Sequence, residues 1–369
     1  MGTSDRPTPE PASDSELIAL ATREVSARLP ASWTVEETQR EVTANGLRPD
    51  MVLQIAAPDG SRALLVIEVK RTPTMGGIRS AGTRLEQATR AADADGASRC
   101  AAVVAPYVGP AGREWLDSRG IGYIDATGNM RIVCDRPAIT IDSRGSDRNP
   151  WPTASDLRTL KGRAAGRAIR TLVDHTPPFG IRELAERTES SAPTLSRVVD
   201  LLDREGLVER EPRGPIEALD WAGSIRRWAL DYDLTTSNTA RLFLDPRGID
   251  HFADSLRDTA GEYAVTGALA LPEDLVIAPA RLAMVYTRDA AELRRMLDLR
   301  TVDTGANVLL FDPFDEVVFA RTTRRRGMTA VACSQLAVDL LTGPGRSQTE
   351  AEELLTWMQE NQDAWRSTL

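Results

Sequence analysis

A chain of 369 residues with 41% hydrophobic and 27% charged residues has room for two or three domains with ordinary cores and reads as a soluble globular protein. No apolar stretch approaches the roughly 20 residues a membrane helix needs, and a net charge of −9 confines nucleic-acid contact to local basic patches. The cysteines Cys100, Cys134 and Cys333 are far apart and odd in number, which argues for a reducing cytoplasm and against a zinc knuckle or a disulfide framework. The two histidines, His175 and His251, have no nucleophile or ligand neighbour in sequence, so histidine-centred triads and metal sites are not expected.

The start, residues 1–15, is Pro/Ser/Thr/Asp-rich without an apolar core and reads as a disordered tail, not a signal peptide. An amphipathic helix follows over Leu17–Leu29 and carries Glu24. Next comes a hairpin: Arg48–Ile55 joins Ala63–Ile67 through Pro58-Asp59-Gly60, a three-residue closure with Gly in the left-handed position. That closure pairs Ala57 with Ser61 and sets Asp50 opposite Glu68. The other face then reads Met51, Leu53 and Ile55 against Ala63, Leu65 and Ile67, apolar throughout. Glu68 and Lys70 are two apart and share a face. Carboxylates directly opposite each other stand about 5 Å apart at Cβ and repel. A hard divalent cation such as Mg²⁺ would relieve that repulsion, and Lys70 beside it could polarise a water or stabilise negative charge on a phosphodiester.

Further along, Gly76, Gly77 and Gly82 mark a connection, Arg84–Ala92 a helix bearing Gln87, and Cys100–Ala105 a buried strand. A helix over Pro110–Ser118 and strands near Ile121–Asp125 and Asn129–Cys134, turning at Gly128-Asn129, complete an α/β domain over 16–145. Ser143–Pro152 is the first linker.

Residues 153–232 read as a winged helix-turn-helix: a first helix near Asp156–His175, then Ile181–Arg187, a turn, and a second helix Pro193–Glu205 closed by Gly206. Leu195, Val198, Val199, Leu201 and Leu202 form its core stripe, and Leu207–Arg210 with Ile216–Leu219 form the wing. The second helix of such a pair enters the major groove with its N-terminal residues toward base edges. The DNA-facing candidates are therefore Ser190, Ser191, Thr194, Ser196 and Arg197, with Arg213 at the wing tip. Arg158, Lys161, Arg163, Arg167 and Arg170 make the first helix basic. Residues 250–362 form a third unit with strands near Leu282–Tyr286, Val308–Phe311 and Phe314–Ala320 and a helix Ser334–Leu341.

Pro49-Asp50, Glu68 and Lys70 together resemble the core of the restriction-endonuclease-like PD-(D/E)xK nucleases. The resemblance implies metal ligation by Asp50 and Glu68, charge stabilisation by Lys70, and looser roles for Glu24 and Gln87. Thr266-Gly267 resembles the turn that opens nucleotidyltransferase folds, but Arg281–Tyr286 lacks the alternating carboxylates of such enzymes, which implies a degenerate C-terminal α/β domain. Gly120–Asn129, the winged helix and the run Ser334–Arg346 together resemble the AbiEi antitoxins of type IV toxin–antitoxin systems and related regulators. A nuclease-like front before the winged helix departs from that pattern. The expectation is a multi-domain α/β regulator or defence-related protein that binds double-stranded DNA. The alternatives are a Mg²⁺-dependent DNA endonuclease and a protein that neutralises a cognate toxin.

Overall fold

The computed structural model describes residues 9–38, 49–90, 97–151, 159–188, 190–210, 214–259, 262–276 and 278–369. Backbone contacts divide the chain into two compact units, Met1–Asp156 with Leu202–Gly214, and Leu157–Leu201 with Pro215–Leu369.

The first unit opens with α1 (Asp14–Arg28), capped where the Ser13 hydroxyl accepts the Glu16 amide. Strands β1 (Thr34–Glu37), β2 (Met51–Ala56) and β3 (Arg62–Val69) are antiparallel neighbours. The β2–β3 register is the one that turn chemistry and alternation dictate: Met51 pairs with Ile67, Leu53 with Leu65 and Ile55 with Ala63. The loop closes through the Ala57 amide to the Ser61 carbonyl at 2.9 Å, with Gly60 at φ +86°. After α2 (Met75–Arg90), β4 (Ser98–Ala105), α3 (Pro110–Asp117), β5 (Gly122–Asp125), β6 (Met130–Cys134) and β7 (Ile139–Ser143), the seven strands lie in sequence order in one sheet. Only the β3–β4 and β4–β5 pairs are parallel. Alternation divides the strands between two cores. Leu53, Ile55, Leu65 and Ile67 meet Leu17 and Val25 of α1 on one face. Val66 and Val103 meet Ile78 and Leu85 of α2 on the other.

The connection expected at Gly76, Gly77 and Gly82 is instead the first half of α2. A Cβ at Gly82 would stand 2.5 Å from the Trp115 ring, and one at Gly76 would overlap the Arg210 carbonyl, so these glycines serve close packing rather than chain freedom. Cys100 and Cys134, expected as separate thiols, form a disulfide with Cα atoms 5.4 Å apart. β5 begins level with Ala102, so beyond it β4 and β6 close on each other and bring the two cysteines together. Cysteine number therefore gives no indication of compartment. No helix among the described residues is long and apolar enough to cross a membrane.

The second unit begins with α4 (Arg163–Asp174), α5 (Ile181–Arg187) and α6 (Ala192–Arg204), the last turn of α6 belonging to the first unit. β8 (Val208–Arg210) likewise belongs to the first unit, and the second resumes with β9 (Ile216–Leu219) and α7 (Trp221–Ala229). The remaining elements are β10 (Thr239–Leu244), α8 (Ile249–Arg257), β11 (Tyr263–Thr266), β12 (Ala283–Thr287), α9 (Ala290–Met296), β13 (Arg300–Thr301), β14 (Val308–Asp312), β15 (Thr323–Arg325), β16 (Met328–Ala330), α10 (Cys333–Leu341) and α11 (Ser347–Glu360). Their strands form a second sheet in the order β13-β10-β14-β12-β11-β16-β15. Phe314–Ala320 is not the strand that its apolar run predicts. The Asp315 carboxylate accepts the Val317 amide and turns the chain into a single 3₁₀ segment, Glu316–Phe319.

A polar network is sealed into this unit. Asp339 of α10 is fully buried and accepts hydrogen bonds from Thr266 (2.7 Å), Tyr232 (2.8 Å), Gln335 (2.8 Å) and Tyr286 (3.0 Å). Burial pushes its pKa up to about 6 against the pull of those four donors. Gln335 also accepts Arg170 of α4 at 3.0 Å, and Arg170 pairs with Asp174 at 3.0 Å. Arg170 is only 1% exposed, so this member of the basic first helix is structural and unavailable to DNA. His251, expected without suitable neighbours, has Asp245 at 3.1 Å and Ser255 at 3.4 Å, both on Nδ1. A catalytic relay needs its acid and nucleophile on opposite ring nitrogens, so the cluster fixes an imidazole and is no triad.

Candidate functional site

In the first unit the hairpin end gathers four charged side chains. Asp50 precedes β2, and its Oδ2 accepts the Val69 amide at 2.8 Å. The register, continued by one residue, sets it opposite Glu68. Glu68 continues the face of Leu64 and Val66, the face that α2 covers, and is 5% exposed. Its Oε2 accepts Lys70 Nζ at 3.2 Å and Arg84 Nη2 at 2.6 Å. The Arg84 guanidinium is held charged above its ordinary range, first by the hydrogen bond to Glu68 and then, against desolvation, by the fields of Glu68 and Asp50.

Sequence reasoning placed Asp50, Glu68 and Lys70 here and missed Arg84, which reaches Glu68 from α2. Gln87 lies one turn beyond Arg84, exposed and without a hydrogen bond among the described residues. Glu24 is not brought to this point. It sits on α1, which covers the opposite face of the sheet, and is paired with Arg28 at 2.6 Å.

Two carboxylates with waters are enough to hold Mg²⁺ in general, but this donor set does not fit one as it stands. A single Glu68 oxygen already carries an ammonium and a guanidinium. Among the described residues, no three His, Cys, Asp or Glu side chains come together in a group suited to a metal. Lys70 and Arg84 together supply the counter-charge for the buried Glu68 carboxylate.

In the second unit the polar residues flanking α6 converge with the start of α4. Ser190, Ser191 and Thr194 line a cleft of about 240 Å³ together with Arg163 and Arg167. The Thr194 hydroxyl donates to Ser191 Oγ at 3.2 Å, and Ser190 Oγ lies 3.2 Å from Thr171 Oγ1. The stripe Leu195, Val198, Val199 and Leu202 is buried, which fixes this rotation of α6 and turns the hydroxyls outward. Arg197 is exposed, with its Nε donating to the Pro193 carbonyl at 3.3 Å, and Ser196 is half-buried; neither lines the cleft. Lys161 is exposed just before α4, whose N-cap is Gly162 rather than a residue near Asp156. Arg158 and Arg213 fall outside the described residues.

Arg167, one of the basic residues read on the first helix, donates through Nε (3.2 Å) and Nη2 (3.1 Å) to Asp315 Oδ1, and through Nη2 (2.9 Å) to Oδ2. That hydrogen bonding keeps its charge secure, raising its pKa.

Residues 162–215 match the MarR family model. The MarR-like segment begins at the Gly162 cap and takes in α4, α5, α6 and β8, so the cleft residues Arg163, Arg167, Ser190, Ser191 and Thr194 all fall inside it. The match supports a helix-turn-helix regulator module within a larger α/β chain. No curated protein matches the chain.

Proposed function

We propose that this protein is a DNA-binding transcriptional regulator that reads duplex DNA through the MarR-like winged helix, with α6 as the recognition helix. The observation that carries the reading is the cleft in which three hydroxyls before and on the first turn of α6 meet two guanidinium groups of α4. Hydroxyls bond either donor or acceptor edges of bases, while arginines hold phosphate and set register. We assign the first unit to a restriction-endonuclease-like fold whose hairpin end, Asp50, Glu68, Lys70 and Arg84, is neutralised internally and serves DNA grip without cleavage. A cytoplasmic location goes with this reading.

The alternative, a Mg²⁺-dependent endonuclease using Asp50, Glu68 and Lys70, is favoured by the hairpin register and opposed by Arg84. Neutralisation of a toxin rests on the run Ser334–Arg346, whose Ser334, Gln335 and Asp339 are buried in the network of α10 and are not offered to a partner. The test is fluorescence anisotropy of the full chain on labelled duplex DNA at several salt concentrations, with plasmid nicking assayed in parallel with Mg²⁺. Salt-dependent binding, weakened several-fold by Arg163→Gln and without nicking, is the expected result. Nicking abolished by Asp50→Ala would replace the regulator with the enzyme, and absence of salt-dependent affinity would remove both.

A further inference from the structure

The ion pair between Arg167 and Asp315 joins a DNA-facing helix to a residue far outside the MarR-like segment. Its two partners differ sharply in exposure: the Asp315 side chain is 4% exposed and that of Arg167 is 48%. Asp315 is itself held in place, because its Oδ1 accepts the Val317 amide at 2.9 Å at the start of the 3₁₀ segment. The carboxylate is thus a fixed anchor, and the guanidinium leans on it from the open side. All three hydrogen bonds use Nε and Nη2, so the Nη1 edge has no protein partner among the described residues. Arg163, one helical turn earlier on α4, shares the same cleft wall.

We propose that Asp315 is a positioning residue for DNA binding, which holds the Arg167 guanidinium at the edge of the recognition cleft so that its free edge meets a backbone phosphate. The inference rests on the reading of the winged helix as a DNA binder and adds to it a contribution from the C-terminal part of the chain. A guanidinium already ordered by a buried acid loses little side-chain freedom on meeting phosphate, whereas an unanchored arginine must be ordered at that moment. Arg is suited to the task because its planar fork serves two acceptors at once, carboxylate on one edge and phosphate on the other.

The two possible effects of the acid have opposite signs, and this makes the proposal testable. As a charge alone, Asp315 repels the duplex, so Asp315→Asn would bind more tightly. As an anchor, its loss leaves Arg167 disordered, so Asp315→Asn binds less tightly although a negative charge has gone. Anisotropy titrations of the full-length wild type, Arg167→Gln, Asp315→Asn and Asp315→Glu, repeated over a salt series, separate them. Arg167→Gln, which alters a half-exposed side chain, is expected to weaken binding roughly ten-fold and to reduce the log–log salt slope by about 1. Asp315→Asn is expected to weaken it several-fold, and Asp315→Glu to restore most of the loss. Asp315→Asn binding as tightly as wild type or more so, or Arg167→Gln leaving affinity and slope unchanged, would overturn the proposal while the regulator reading stands. Wild type without affinity for duplex DNA would instead bring down the regulator reading and the anchor with it. Should Asp315→Asn not fold, Arg167→Lys decides: it keeps the charge without the planar fork that spans carboxylate and phosphate, so it is expected to weaken binding nearly as much as Arg167→Gln, and wild-type affinity would overturn the proposal.

Discussion

At Glu68 one carboxylate oxygen accepts from both Lys70 and Arg84, and the chemistry of the hairpin end turns on which cation holds it. Buried carboxylates require a counter-charge, and Arg84 provides one permanently because a guanidinium does not titrate in the physiological range. Replacing it leaves Glu68 to Lys70 alone beside Asp50, with less counter-charge against the repulsion that a divalent ion would relieve. Arg84→Gln is therefore expected to gain a Mn²⁺ site, detected by titration calorimetry and lost again in the Arg84→Gln/Asp50→Ala double variant, while the wild type gives no heat. Equal Mn²⁺ binding by the wild type would show that Arg84 does not exclude the metal. Asp50, Glu68 and Lys70 were legible in the sequence because alternation and a Gly-closed turn are local rules that fix a register. Arg84 was not, since the rotation of α2 against the sheet is set by packing of Ile78, Ala81 and Leu85 and no local spacing encodes it. Asp315 was equally out of reach, because nothing near it in the sequence announces a guanidinium from α4.

Elements show the same division between local and tertiary causes. A glycine cluster reads as a flexible connection when only propensity is weighed, yet Gly76, Gly77 and Gly82 lie in α2, where neighbouring groups leave no room for a side chain at Gly76 and Gly82. Gly82→Ala sets two effects against each other: a gain of up to about 1 kcal/mol from helix propensity, and a cost of about 1–3 kcal/mol from a methyl forced against a ring. Overlap with Trp115 and contact with Ile121 should prevail, lowering the denaturant midpoint by an amount equivalent to about 1 kcal/mol; an unchanged or raised midpoint would show that the ring yields freely.

α10 carries a second elemental prediction. The Asp339 carboxyl titrates near 6 in the folded chain and near its ordinary value of 3.8 when unfolded. A raised folded value means that the unfolded chain gives up this proton first. The contribution of the group is therefore fully present below about pH 4 and is lost as pH rises through about 6, by roughly 3 kcal/mol in all. Asp339→Asn removes that titration, whatever its constant cost in lost acceptors. Thermal unfolding of both proteins from pH 4 to 7 should show the wild type losing ground to the variant as pH rises, and parallel curves would contradict the buried, protonatable state.

For the whole molecule, two α/β units are established, with a MarR-like segment as the recognisable part. Composition foresaw more than one unit with ordinary cores, and helix periodicity foresaw α6 to within a residue at either end. Strand β1 escaped because it shows no apolar alternation and β7 because its alternation is confined to one short stretch, and Phe314–Ala320 was misread because a capping aspartate outweighs an apolar run. On the proposed reading, Arg163 and Arg167 of α4 meet phosphate, so affinity is expected to be steep in salt, while sequence discrimination is expected from the hydroxyls of the cleft.

These two roles separate in a selection of bound duplexes from a random pool, carried out with the wild type and with a Ser191→Ala/Thr194→Ala variant. A single enriched site for the wild type, with the variant retaining salt-dependent affinity but losing most of the enrichment, is the result this structure predicts. Identical enrichment by both proteins, or no enrichment by either, would contradict a winged helix that reads DNA through the first turn of α6.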